Sequence, residues 1–190
     1  LAAWVSVASV PDTCMATFSA RPAMRIKDML PAGVSAKDAV RNTVKSGGVT
    51  LLTSPNACGK STVLKSVGAA VVMAQTLGMA RAQGMHFQPF AHIESVIVLH
   101  DDVGKASLYQ MELERTCRIV EQVASGERTL LLIDELFNTT NHHEGTAAAY
   151  GLVKYLSTCE NATAFISTHL HGLETLVDDK TCGGMHMTCA

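Results

Sequence analysis

The chain has 190 residues, 47% hydrophobic and 17% charged, with fifteen Lys and Arg against seventeen Asp and Glu for a formal net charge of −2. That length and apolar content suit one domain with a continuous core and exclude a disordered chain. The charge balance excludes a global positive field that would hold nucleic-acid phosphates, so any DNA would be gripped from outside this segment. The six cysteines (Cys14, Cys58, Cys117, Cys159, Cys182 and Cys189) form no CxxC pair and no regular framework. An intracellular, reducing compartment is therefore expected: cytoplasm, nucleus or an organelle.

In chain order, residues 1–9 read as the tail of a helix stopped by Pro11 and Asp12. The apolar stretch there lacks the basic start of a secretory leader. Because Leu1 is not a start-codon product, the chain is expected to be part of something longer. Residues 20–48, with Pro22, Pro31, Gly33, Gly47 and Gly48, suit short edge strands and turns. Residues 49–53 form a β-prone run, 54–59 a turn, and 60–78 carry helical spacing. The weakly polar stretch 67–80 is interrupted by Gln75 and too short to cross a bilayer.

Residues 96–100 are a second strand candidate, followed by Asp101, Asp102 and a loop through Gly104. Residues 107–125 read as a helix opened by a Ser107 cap. Residues 129–133 are continuously apolar, as expected of a strand covered on both faces. A loop over 138–144, a helix over 145–159, a strand over 162–167 and a short helix over 170–177 complete the pattern. Strands alternating with helices predict an α/β fold with a largely parallel central sheet flanked by helices.

The string TSPNACGKST at residues 53–62 falls on a strand-to-helix turn, where backbone N–H groups and a helix N-terminus can surround a polyphosphate. In such GxxxxGK[ST] loops the lysine, here Lys60, reaches the terminal phosphates, and the hydroxyl after it, Ser61, goes to Mg²⁺. Ser54 stands where the first glycine is expected. Cys58, a thiol beside a lysine and a helix start, should have a lowered pKa and be sensitive to oxidation or alkylation. The run TLLLIDEL ends in Asp134 and Glu135, positioned to steady Mg²⁺ and to orient and deprotonate an attacking water. His169, after the strand ending IST, could hydrogen-bond the terminal phosphate or that water.

Taken together, SPNACGKST, the acidic pair at 101–102 with SLYQMEL, LLLIDEL, the His143-Glu144-Gly145 turn and STHLHGLETL resemble the ATPase domain of MutS proteins, whose loop reads GPNMGGKST. The resemblance covers about residues 25–187 and implies a P-loop NTPase of the ABC ATPase type with a small antiparallel N-terminal part. It places the end of a preceding lever or clamp region at residues 1–20 and the ATPase domain at 21–190. It further implies ATP and Mg²⁺ as cofactors and hydrolysis as the activity. Ser54, Pro55, Asn56, Ala57, Cys58, Gly59, Lys60, Ser61 and Thr62 would cradle the nucleotide, Ser61 and Asp134 would serve the metal, and Glu135 and His169 would be catalytic.

Ser107 matches the serine that MutS proteins extend toward a partner's ATP. This implies composite sites in a homo- or heterodimer and mismatched double-stranded DNA held by domains outside this segment, with no membrane involvement. The departures cluster at the site: Ser54 and Cys58 replace family glycines, Phe137 and Asn138 replace Gly-Arg, Asn141 replaces a serine, and Met29 falls where an aromatic ring stacks on adenine. They leave a second reading open, a non-catalytic nucleotide-binding module serving as a structural subunit.

Overall fold

The computed structural model describes residues 11–35, 37–55, 58–97, 108–137, 141–170 and 172–187. The described elements, in chain order, are β1 (Cys14–Phe18), β2 (Met24–Met29), β3 (Asn42–Ser46), β4 (Val49–Thr53), α1 (Lys60–Leu77), β5 (Met79–Ala80), β6 (Gly84–Phe87), β7 (His92–Val96), α2 (Leu108–Ala124), β8 (Thr129–Ile133), α3 (His142–Ser157), β9 (Ala162–Ser167), α4 (Glu174–Asp178) and β10 (Gly183–His186). They fall into two compact units, Leu1–Gly47 with Lys65–Pro89, and Gly48–Leu64 with Phe90–Ala190. No helix among the described residues is long and apolar enough to cross a membrane.

The second unit is built on a five-stranded sheet in the order β10-β4-β9-β8-β7, with every pair parallel. Its central strands are apolar throughout for a physical reason: TLLLI in β8 and ATAFIS in β9 are buried at every position, as strands with both faces covered must be. One face carries Val49, Leu51, Leu131, Ile133, Ala162, Ala164 and Ile166 into a core shared with Ile119 and Val123 of α2, Leu152 and Val153 of α3, and Leu176 of α4. Each fully buried Leu, Ile or Val contributes about 1.5–3 kcal/mol. The edge strands β7 and β10 are only partly covered and keep polar positions.

The first unit carries a second five-stranded sheet, β3-β2-β6-β1-β5. The expected small antiparallel part is in fact mixed, because β1 runs parallel to β6 while the other pairs are antiparallel. Since β1 belongs to this sheet, the sheet begins ahead of residue 21, where the sequence pattern starts the domain. Alternation on β2 is strict: Met24 and Ile26 are buried, Arg25 and Lys27 exposed, the period-2 signature of a sheet with one wet face. Met29, expected at an adenine-stacking position, is 1% exposed and a core residue of this unit, so it offers no surface for stacking.

Several element bounds differ from expectation. The described strand in this region, β7, is His92–Val96 and pairs residue for residue with β8 from His92↔Thr129 to Val96↔Ile133; most of the strand expected at 96–100 lies outside the described residues, which omit 98–107. Helix α3 begins earlier than foreseen, as Asn141 caps it by accepting from the His143 N–H at 2.9 Å, the role expected of Asn, Ser or Asp at that position. The last helix is shorter, Glu174–Asp178.

Two backbone positions make sharp demands. A Cβ on Gly184 of β10 would lie 2.7 Å from Cγ1 of Val177, and valine's stiff χ1 leaves little room to yield. Phe137, in the turn after β8, has φ +53° and is 2% exposed. Left-handed backbone costs a non-glycine residue about 1–2 kcal/mol, here offset by burial of the ring.

Gly184→Ala is expected to lose about 1–3 kcal/mol in urea unfolding, most of it recovered in the double variant with Val177→Ala. Failure of the second change to rescue the first would show that the clash is not the cause. Phe137→Ala should cost about 3–5 kcal/mol, while Phe137→Gly should be the more stable of the two by roughly 1 kcal/mol because glycine tolerates that φ. An alanine variant as stable as the glycine variant would show the turn to be unstrained.

Candidate functional site

The site forms where the parallel sheet of the second unit ends. Strands β4, β9 and β8 are neighbours, so their carboxyl ends open side by side at steps of about 4.8 Å, the place where parallel α/β sheets bind ligands. After β4 the chain turns into α1. Gly59 makes that turn with φ +86°, a conformation open to glycine, and its carbonyl accepts the first helical bond from the Val63 N–H at 2.9 Å. A cleft of about 410 Å³ follows, lined by Cys58, Gly59, Lys60, Ser61, Thr62, Glu135 and His169.

Lys60 is 7% exposed. Its Nζ donates to the Ser54 carbonyl at 3.2 Å and to Ser54 Oγ at 3.4 Å, and none of the ion pairs among the described residues includes it. Among the described residues this buried ammonium is held by neutral oxygens at the wall of a cleft, a setting that suits an anionic ligand. Ser54 thus replaces a glycine while giving the lysine a hydroxyl to rest on, and its own hydroxyl donates to the Pro55 carbonyl at 2.9 Å.

Across the cleft, the Glu135 carboxylate and His169 Nε2 are 3.4 Å apart, with the two side chains 47% and 35% exposed. Glu135 has φ +56°. Its N–H donates to the Ser167 carbonyl at 3.2 Å and to Ser167 Oγ at 3.1 Å, so β9 fixes the turn that aims it. The Ser167 hydroxyl in turn donates to Asp134 Oδ1. Ser167 therefore holds the Asp134 carboxylate and the backbone of Glu135. It was not among the candidate residues, although it stood in the STH string that carried His169.

Most of the candidate residues converge. Lys60, Ser61, Thr62, Gly59, Cys58, Glu135 and His169 share the 410 Å³ cleft. Ser54 and Pro55 line a neighbouring cleft of about 430 Å³ that His169 also borders, with Thr168, Glu174 and His186. Asp134 is turned elsewhere, toward a small hollow lined by Glu112, Arg115 and Thr116 of α2. The buried Glu112, 6% exposed, is a further acid that the sequence pattern did not single out. Asn56, Ala57 and Ser107 lie outside the described residues. Cys58 is disulfide-bonded, so the reactive free thiol expected beside the helix start is sequestered.

The donor set fits a magnesium–polyphosphate complex: a buried cation and a helix N-terminus for the anion, with a hydroxyl and carboxylates as hard oxygen ligands for the metal.

Comparison with known proteins agrees with the motifs. The family described as MutS domain V matches residues 50–190. The chain is 36% identical over 144 residues to the DNA mismatch repair protein MSH1, mitochondrial, of Arabidopsis thaliana, covering 75% of this chain and 13% of that protein. It is 33% identical over 127 residues to the DNA mismatch repair protein MutS of Pelotomaculum thermopropionicum, covering 66% and 14%. To the probable DNA mismatch repair protein Msh6 of Drosophila melanogaster it is 33% identical over 149 residues, covering 77% and 12%. The chain thus spans about one eighth of the length of these relatives. With the match to MutS domain V running from Thr50 in β4 to the last residue, this chain belongs to the MutS family.

Proposed function

We propose that this chain is the ATP-binding and ATP-hydrolysing module of a MutS-type mismatch repair protein, with the architecture of an ABC-type P-loop ATPase. The observation that carries the reading is the placement of buried Lys60 and the Glu135–His169 pair on one cleft at the carboxyl ends of three adjacent parallel strands. In the full-length protein, two such modules pair as a homo- or heterodimer, Ser107 reaching the partner's nucleotide. Nucleotide state is then coupled to mismatched DNA held by domains outside this segment.

The roles follow from chemistry. Lys60 moves from Ser54 onto the terminal phosphate oxygens as a point charge, and the amides at the start of α1 donate to the same phosphates. Ser61 and Asp134 are the residues to hold Mg²⁺, with Asp134 leaving the Ser167 hydroxyl to do so. When bound, the metal offsets phosphate charge as the terminal phosphoanhydride bond breaks. Glu135 takes a proton from the attacking water as general base. His169, within reach of Glu135, orients that carboxylate and donates toward the terminal phosphate. Pro55, Asn56, Ala57, Cys58 and Thr62 complete the loop around the phosphates.

One observation favours the non-catalytic alternative. Asp134 is engaged by Ser167 and lines a different hollow from Lys60. A module arrested in that state would bind nucleotide without turning it over.

In the intact protein, Lys60→Ala is expected to abolish binding of a fluorescent ATP analogue in a titration. Glu135→Gln should keep that binding and lose about 10²–10⁴-fold in phosphate release. Unchanged turnover in Glu135→Gln would remove the carboxylate from the chemistry. Binding without turnover in the unsubstituted protein, even with partner and DNA, would establish the structural alternative.

A further inference from the structure

The net charge of −2 conceals a segregation. The first unit, residues 1–47 and 65–89, carries eight Lys and Arg against three Asp, whereas the second carries seven against fourteen Asp and Glu. Much of the positive charge of the first unit is gathered on the wet face of its sheet. Arg25 and Lys27 point outward from β2, Lys45 from β3, His86 from β6, and Met15 and Thr17 from β1. Register places Lys45 opposite Arg25, Arg25 opposite His86, and His86 opposite Thr17. The result is a row across four strands, about 14 Å long at 4.8 Å per step, with Lys27 one pleat along beside Gly84.

Two features show that this row is not a solvated face of ordinary kind. Arg25 and Lys45 are like charges directly opposed across an antiparallel pair, an arrangement that destabilises a sheet. In addition, none of the ion pairs among the described residues includes Arg25, Lys27 or Lys45. Asp28, the acid next to Lys27 in β2, sits in the β2–β3 irregularity between Ile26 and Met29, where its carboxylate accepts from the Thr43 hydroxyl at 3.2 Å. The row borders a hollow of about 300 Å³ lined by Met15, Thr17, Arg25, Lys27, Gly84, Met85 and His86. Gly84 leaves its floor open, since a Cβ there would meet nothing within 4 Å.

We propose that this sheet face binds the phosphodiester backbone of a nucleic acid through Arg25, Lys27 and Lys45, with His86, whose Nδ1 rests 2.9 Å from Thr17 Oγ1, as a neighbouring hydrogen-bonding group. The charge requires an anion, and the spacing suits one whose charges recur along a chain. An acidic polypeptide is the poorer fit, because peptide docking rests on apolar anchors seated in pockets. Met15 is the one large apolar side chain standing exposed on this face among the described residues. Arg and Lys side chains are usual partners of phosphate oxygens, and such contacts position a protein without reading sequence. The assignment is independent of the nucleotide cleft and requires no ATP.

The test is fluorescence anisotropy of this chain with a labelled DNA duplex across a salt series. Three neutralised phosphates predict a slope of about −2.7 in log K against log salt, or roughly 40-fold weaker binding between about 50 and about 200 mM. Arg25→Gln, Lys27→Gln and Lys45→Gln should each reduce the slope by about 1, and the triple variant should nearly abolish binding. These exposed substitutions remove repulsion within the sheet, so a melting curve should show no loss of folding. Lys154→Gln, on α3 of the acidic unit, should change nothing. Absence of duplex binding by the unsubstituted chain, or an unaltered slope in the triple variant, would overturn the proposal. So would preference for poly-glutamate over the duplex at equal charge.

Discussion

The site depends on one constraint, the register of β9 between its two neighbours. Ile166 stands opposite Leu51 of β4 on one side and Ile133 of β8 on the other. That single row of backbone hydrogen bonds decides that the turn after β4, the acid pair and His169 emerge level with one another. A slip of one residue would send every side chain of β9 to the opposite face, taking Ile166 out of the core and Ser167 away from Asp134 and Glu135. The core and the placement of the cleft residues are therefore set by the same pairing, on a strand buried at all six positions because both faces of the sheet are covered there.

Where the chain departs from the family pattern, the fold shows local accommodation. Ser54 lacks the freedom of glycine but supplies an acceptor for Lys60. Phe137 occupies a left-handed position and contributes a ring to the core in exchange. Asn141 keeps the capping role that a serine would fill. These changes preserve backbone geometry by new side-chain means, and the positive-φ residues Glu135 and Phe137 lie at the turn that carries Glu135 to the cleft, where strain is commonly retained for function.

Much of this was legible in the sequence because parallel central strands and amphipathic helices leave strong patterns. The continuous apolar runs of β8 and β9 and the loop-to-helix signal at Gly59-Lys60 could be read directly, and with them the convergence of Lys60, Glu135 and His169. Short edge elements could not. β10 reads Gly-Gly-Met-His, without alternation or β-branched residues, and becomes a strand only because β4 offers it an open edge. The start of β7 was missed because its bounds are imposed by pairing with β8 and not by its own hydropathy. The pivotal contacts of Ser167 are tertiary, since a serine at the end of a strand carries no signal of what it will touch. Net charge was equally uninformative, being a sum over two units of opposite sign.

The topology of β10 also bears on how the molecule is made. It pairs with β4, the strand that leads into the turn before α1, and the Thr53–His186 contact joins residues 133 positions apart. Contacts of such sequence separation form late, because their ordering entropy is met only after nearer pairings are in place. During synthesis the strand before that turn must therefore wait with one edge unpaired until almost all of the chain described here has left the ribosome. A ribosome stalled before Gly183 would hold a β4 open to pairing with a foreign strand.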